Sequence, residues 1–145
     1  MAHCYLLAVS QGSVLDHYTN NWTLFGLTTR VGIPPDAPAA AGDVLMPFEL
    51  HAHWEFGPDE MGGEFEWRFL MTTGDRTSTS APYQLRTEKR FHRHRIRGFP
   101  LLLEGDTRIM AEWRMQHGEW NRCALSWPLI LERQQAVAPP AQGGA

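Results

Sequence analysis

The sequence predicts an all-β domain, an antiparallel β-sandwich of seven or eight strands, immunoglobulin-like, with a jelly-roll or barrel closure as the alternative. Three observations carry this expectation. Apolar and polar residues alternate with a period of two along most of the chain, and no helical pattern is long enough to cover a parallel sheet. Turn signals separate these runs at short intervals. Six Trp, seven Phe and three Tyr supply the flat side chains that suit strands and sheet-on-sheet cores.

The elements follow in order. Cys4–Ser10 reads as a first strand closed by a turn signal at Gln11–Ser13, and Trp22–Val31 as a second, interrupted by Gly26. The segment GIPPDAPAAAGD, with three prolines and four alanines, predicts a surface loop spanning residues 32–47. FELHAHWEF (Phe48–Phe56) is the third strand and Glu64–Thr73 the fourth, followed by short strands near Tyr83–Thr87 and at Phe91–Arg97. FPLLLEGD then bends the chain into Thr107–Met115. Gln116–Glu119 makes a hairpin in which Gly118 is available for positive φ. The last strand runs from Trp120 toward Glu132, with Pro128 marking an edge or a break.

These elements make one domain over residues 3–133, and residues 134–145, which have nothing to bury, read as a disordered tail. The net charge is −3, which brings no overall bias toward nucleic acid. Cys4 and Cys123 are too few for a disulfide scaffold, no Cys-x-x-Cys pair exists, and both fall in strand-like alternation that predicts packed thiols. The opening MAHCYLLAVSQG has a short apolar run without a basic leader, so a cytoplasmic protein with reduced thiols and no membrane association is expected.

In FELHAHWEF, Phe48, Leu50, Ala52, Trp54 and Phe56 take one face and Glu49, His51, His53 and Glu55 the other. Imidazoles two residues apart on a strand can converge on one metal ion, with zinc the natural candidate. His92 and His94 form a second His-x-His pair, so four imidazoles could meet if the two strands were neighbours. The simpler reading is a one-sided strand showing its polar residues to water.

Arg86–Arg97 holds six of the thirteen basic residues of the chain. Arg90, Arg93, Arg95 and Arg97 are its candidate contacts to a phosphate or nucleic-acid backbone. Acids cluster in turn at Glu49, Glu55, Asp59, Glu60, Glu64 and Glu66, so cross-strand pairing inside the fold competes with that role. No Gly-x-Ser-x-Gly elbow, P-loop or Gly-x-Gly-x-x-Gly is present, and no catalytic residue is assigned.

The order NNWTLFGL, a Pro-rich loop, PFELHAHWEFGPDEMGGEFEWRFLMTTGD, LEGDTRIMAEWRM and a closing WPLILE resembles an uncharacterised bacterial domain-of-unknown-function family of small single-domain β-sandwich proteins. The resemblance covers Tyr5–Glu132. It implies a sandwich in a bacterial or phage cytoplasm, and no activity, ligand or catalytic residue.

The sequence therefore points first to a non-enzymatic interaction or assembly module acting through protein–protein contacts, self-association as a homo-oligomer included. A metal-binding protein or metal-dependent hydrolase using His51, His53, His92 and His94 is the alternative. Nucleic-acid or phosphate binding through residues 86–97 is the second alternative.

Overall fold

In the computed structural model, which describes residues 1–36, 43–102 and 104–135, the alternation resolves into ten strands. They are β1 (His3–Asp16), β2 (Asn21–Leu27), β3 (Arg30–Ile33), β4 (Asp43–Glu55), β5 (Glu64–Thr73), β6 (Arg76–Thr79), β7 (Tyr83–Arg86), β8 (Phe91–Leu102), β9 (Thr107–Met115) and β10 (Asn121–Arg133). One sheet has the order β2-β1-β4-β8; the other runs β3-β10-β9-β5-β6, with β7 also paired to β5. All pairs are antiparallel except β10 with β3, which is parallel. The two sheets face each other without joining into one closed sheet, so the architecture is the expected sandwich and the barrel alternative falls away. The strand count exceeds the seven or eight expected.

Several boundaries differ from the sequence reading, each for a local reason. Gln11–Ser13 is not a turn, because Gly12 and Ser13 pair with Phe25 and Leu24 and β1 runs on to Asp16. The second strand splits after Leu27: Thr28 and Thr29 carry the chain to the other sheet, where Arg30–Ile33 pair with Ile130–Arg133. The Pro/Ala loop expected to reach residue 47 ends earlier, since Asp43–Met46 pair with Phe99–Leu102. A register shift between Met46 and Glu49 lets the ladder pass Pro47, which has no N–H to contribute. At the β9–β10 connection Gln116 (φ 48°) and His117 (φ 58°), rather than Gly118, take the left-handed conformation.

Residues 37–42 of the loop and 136–145 of the tail lie outside the described residues. Gln134, assigned to the tail from sequence, donates its backbone N–H to Ile33 O at 2.9 Å and so still belongs to the β3–β10 edge.

The core lies between the sheets. Leu7, Val9, Leu50, Ala52, Trp54, Phe99 and Leu101 come from the first sheet; Phe65, Trp67, Phe69, Ile109, Ala111 and Leu129 come from the second; all are buried. Trp54 sits edge-on to Phe65, with ring centroids 5.0 Å apart, and 5.9 Å from Trp67, so aromatic faces and edges bridge the layers. Across the same gap Trp67 Nε1–H donates to His94 Nδ1 at 2.9 Å.

Candidate functional site

Strands β4 and β8 are neighbours, with His53 opposite Arg93, Ala52 opposite His94, and Trp54 opposite His92. Residues directly opposed in an antiparallel pair share a face. His92 and His94 therefore lie on the core side with Ala52 and Trp54. His51 and His53 lie on the outer side with Arg93, Arg95 and Arg97. The four imidazoles thus do not converge, although the strands that carry them are adjacent. Among the described residues no group of three or more His, Cys, Asp or Glu is arranged to hold a metal ion.

The outer face of β4 is not the wet surface expected from its alternation. Glu49, His51 and His53 are all buried, His51 completely. The β1–β2 hairpin turns back over them. Ser13 Oγ donates to Glu49 Oε2 at 2.6 Å, Trp22 stands edge-on to His51, and Arg93 reaches across to the backbone oxygen of Asn20. Arg95 lies over the Trp22 ring, 4.7 Å from its centroid, and donates to Ser13 Oγ at 3.2 Å.

At the centre of this cluster His51 Nε2 lies 3.0 Å from Ser10 Oγ and 3.3 Å from Glu49 Oε2. Serine, histidine and glutamate in contact invite comparison with a nucleophile and its base, and the hydrogen bonds decide against it. The Ser10 hydroxyl spends its proton on Gly12 O at 3.0 Å, so it accepts from His51 Nε2–H and gives the imidazole nothing to abstract. Both contacts use the same ring nitrogen, whereas a base and its orienting carboxylate need opposite ones. Ser10 is also fully buried. The cluster holds the hairpin down; Ser10, Ser13 and Trp22 lie far from His51 in the chain, so no spacing in the sequence joins them to it.

Burial pushes the His51 imidazole below its ordinary value despite the neighbouring Glu49 carboxylate. Burial, with help from the positive charge of His51, Arg93 and His92, lowers His53 to about 4. His94 also lies at about 4, through burial and then His92. A neutral His94 is what its hydrogen bond requires, because Nδ1 must keep a lone pair to accept from Trp67. Glu49 is opposed by burial, yet Ser13, Arg95, His51 and Arg97 together hold it below the usual carboxylate range.

The arginines of β8, and Arg90 just before it, are engaged within the fold. Arg95 and Arg97 approach Glu49 Oε1 at 3.8 and 3.3 Å, and Arg90 pairs with Glu55. The acids of β4 thus meet the basic strand, as cross-strand pairing predicts. Glu66 turns instead to Arg114 and Gln84 on the second sheet. There Arg68 and Arg114 hold the Trp120 ring at 4.0 and 4.5 Å.

What the hairpin covers on one side it exposes on the other. Phe25 lies across Gly12, where a Cβ would meet Phe25 Cζ at 2.5 Å. Val14 on β1 and Phe25 and Leu27 on the edge strand β2 are 59, 51 and 58 % exposed, an apolar group beside the sheet edge. Asn21–Thr29 contains no charged residue and no proline. The opposite edge of the same sheet, β8, carries Arg93, Arg95, Arg97 and Pro100, the features that block edge pairing. The edge strands β3 and β6 of the other sheet are four residues each.

Fold and site define a class by architecture: a two-sheet β-sandwich with one neutral, apolar edge strand mounted on a buried polar cluster. Compared with models of known protein families and with curated proteins, the chain matches none. Among the described residues no helix is long and apolar enough to cross a membrane.

Proposed function

We propose that the protein is a non-enzymatic interaction module that self-associates through β2, the edges of two copies pairing to extend the sheet. The single observation that carries this reading is the state of that edge. Natural sheets blunt their edges with charge, proline or shortness, and β2 has none of these over its seven residues. An uncharged strand meets a second copy of itself without like-charge repulsion, and Val14, Phe25 and Leu27 then lose exposed apolar surface. A two-fold contact of this kind uses the same patch on both copies.

A bacterial cytoplasmic setting and a role as an accessory or assembly subunit belong to the same reading. They draw on the family resemblance and on thiols that are free rather than paired. The metal reading keeps one favourable observation. His51 Nδ1 and His53 Nε2 are buried without hydrogen-bonding partners, and their rings are 6.0 Å apart. It has two imidazoles to work with rather than four.

Light scattering on a sizing column, run on the full chain and on Leu27→Lys, tests the proposal. A dimer that becomes a monomer on substitution supports it. A wild-type monomer at concentrations of tens of micromolar overturns it.

A further inference from the structure

The tip of the β1–β2 hairpin meets the start of β8, and a cleft of about 430 Å³ lies between them. Asn20 and Trp22 line it from the hairpin; residues 89–93 line it from β8 and the bend before it. Both walls are fixed in place. Asp16 accepts from the backbone N–H of Tyr18 at 2.9 Å and from the Thr19 hydroxyl at 2.7 Å, which sets the hairpin turn. On the other side the backbone oxygen of Arg90 accepts from Phe56 N–H at 2.8 Å. The Arg93 guanidinium, donating to the Asn20 backbone oxygen, latches one wall to the other.

The charge in this cleft is unbalanced. Among the described residues no carboxylate lines it. Arg90 is neutralised by Glu55. Arg93 meets only a carbonyl at this point, and among the described residues neither it nor Lys89 forms an ion pair. Beside these two cations stand two rings, Phe91, which is half exposed, and Trp22, which is partly exposed.

We propose that this cleft is a binding site for a small, flat aromatic carboxylate. The ligand's ring takes the aromatic contacts that Trp22 and Phe91 offer. Its carboxylate accepts charge-assisted hydrogen bonds from the Lys89 ammonium and from the guanidinium nitrogens of Arg93 not used on Asn20. The volume falls in the range of small-molecule sites, and a cleft already held on both sides needs little ordering to receive a ligand. A nucleic-acid strand is a poor occupant. It needs a row of cations, and Arg90, Arg95 and Arg97 are held by Glu55 and Glu49. The bound carboxylate joins segments 73 residues apart in the chain, at Asn20 and Arg93. It makes no use of Val14, Phe25 or Leu27, so this site and self-association stand or fall separately.

The experiment titrates the isotope-labelled full-length protein with sodium 2-naphthoate and follows its amide and indole resonances by NMR. Saturable shifts are expected with a Kd of about 1 mM or below, the affinity typical of a ligand this size. They should be confined to Asn20, the Trp22 indole N–H and residues 89–93. Lys89→Met and Phe91→Ala change exposed side chains, so the rest of the spectrum stays as in the wild type while binding weakens several-fold. The neutral analogue 2-naphthalenemethanol should bind more weakly than naphthoate by a similar factor. No saturable shift at ten times the expected Kd would overturn the proposal. So would equal binding of the neutral analogue or of inorganic phosphate, or shifts centred on Phe25 and Leu27 instead.

Discussion

Trp67 on β5 donates its indole N–H to His94 Nδ1 on β8 at 2.9 Å, so an imidazole that must stay neutral ties the two sheets together. Protonating His94 removes the acceptor and places a charge beside the core. His53, on the outer face of the same sheet, is lowered to the same region, about 4.

A pH dependence of stability follows. In the unfolded chain these histidines take up protons near pH 6.5, whereas in the fold they resist until about pH 4. The unfolded state therefore binds more protons across that window. Stability is fully present above about pH 6.5 and is lost as pH falls toward 4, by on the order of a few kcal/mol for the pair. Urea denaturation at pH 7.5, 6, 5 and 4 checks this. His94→Gln, which keeps a hydrogen-bond acceptor for Trp67 but does not titrate, should flatten the slope.

Glu49 gathers Ser13, His51, Arg95 and Arg97 around one buried carboxylate. Glu49→Gln leaves Arg95 facing a neutral amide and weakens the bond to the hairpin. A loss of about 1–3 kcal/mol is expected, read by thermal melting. Because the hairpin is held there, Trp22 fluorescence should shift toward that of an exposed indole.

Gly12 offers a way to disturb the exposed patch without touching the core. A methyl group at this position displaces the Phe25 ring, which is the free end of a half-exposed side chain. Gly12→Ala should therefore change the melting temperature little and weaken self-association several-fold, measured by sedimentation velocity.

Arg90 and the arginines of β8 are not expected to bind nucleic acid. With Arg90 on Glu55, and Arg95 and Arg97 on Glu49, the strand lacks the free cationic row that phosphate recognition needs. Fluorescence anisotropy with single-stranded RNA at about 50 mM salt should show no binding stronger than that of any weakly charged protein. A steep salt-dependent affinity would restore the nucleic-acid reading.

How far the sequence could be read depended on what each strand had for neighbours. β5 and β9 appear at their full bounds, Glu64–Thr73 and Thr107–Met115, because clean alternation ends in turn residues at both sides. β4 and β8 are longer than they read, since Pro47, Gly98 and Pro100 look like stops. The structure instead passes them with a register shift and a glycine at φ 70°. Parity in FELHAHWEF correctly separated the two faces, but parity says which side chains share a face and nothing of what lies over it. The β1–β2 hairpin that buries Glu49, His51 and His53 is a tertiary contact. The phase of β8 was more accessible: Ile96 shares parity with His92 and His94, which turns the histidines inward and the arginines out.

Amide hydrogen exchange across β2, measured on wild-type protein at low and high concentration, tests the central claim most directly. Edge pairing with a second copy predicts that protection rises with concentration within Asn21–Leu27 and stays constant along β8 and β6, and that Leu27→Lys abolishes the rise. Exchange in β2 that does not depend on concentration, or protection that grows at another edge instead, would contradict the account.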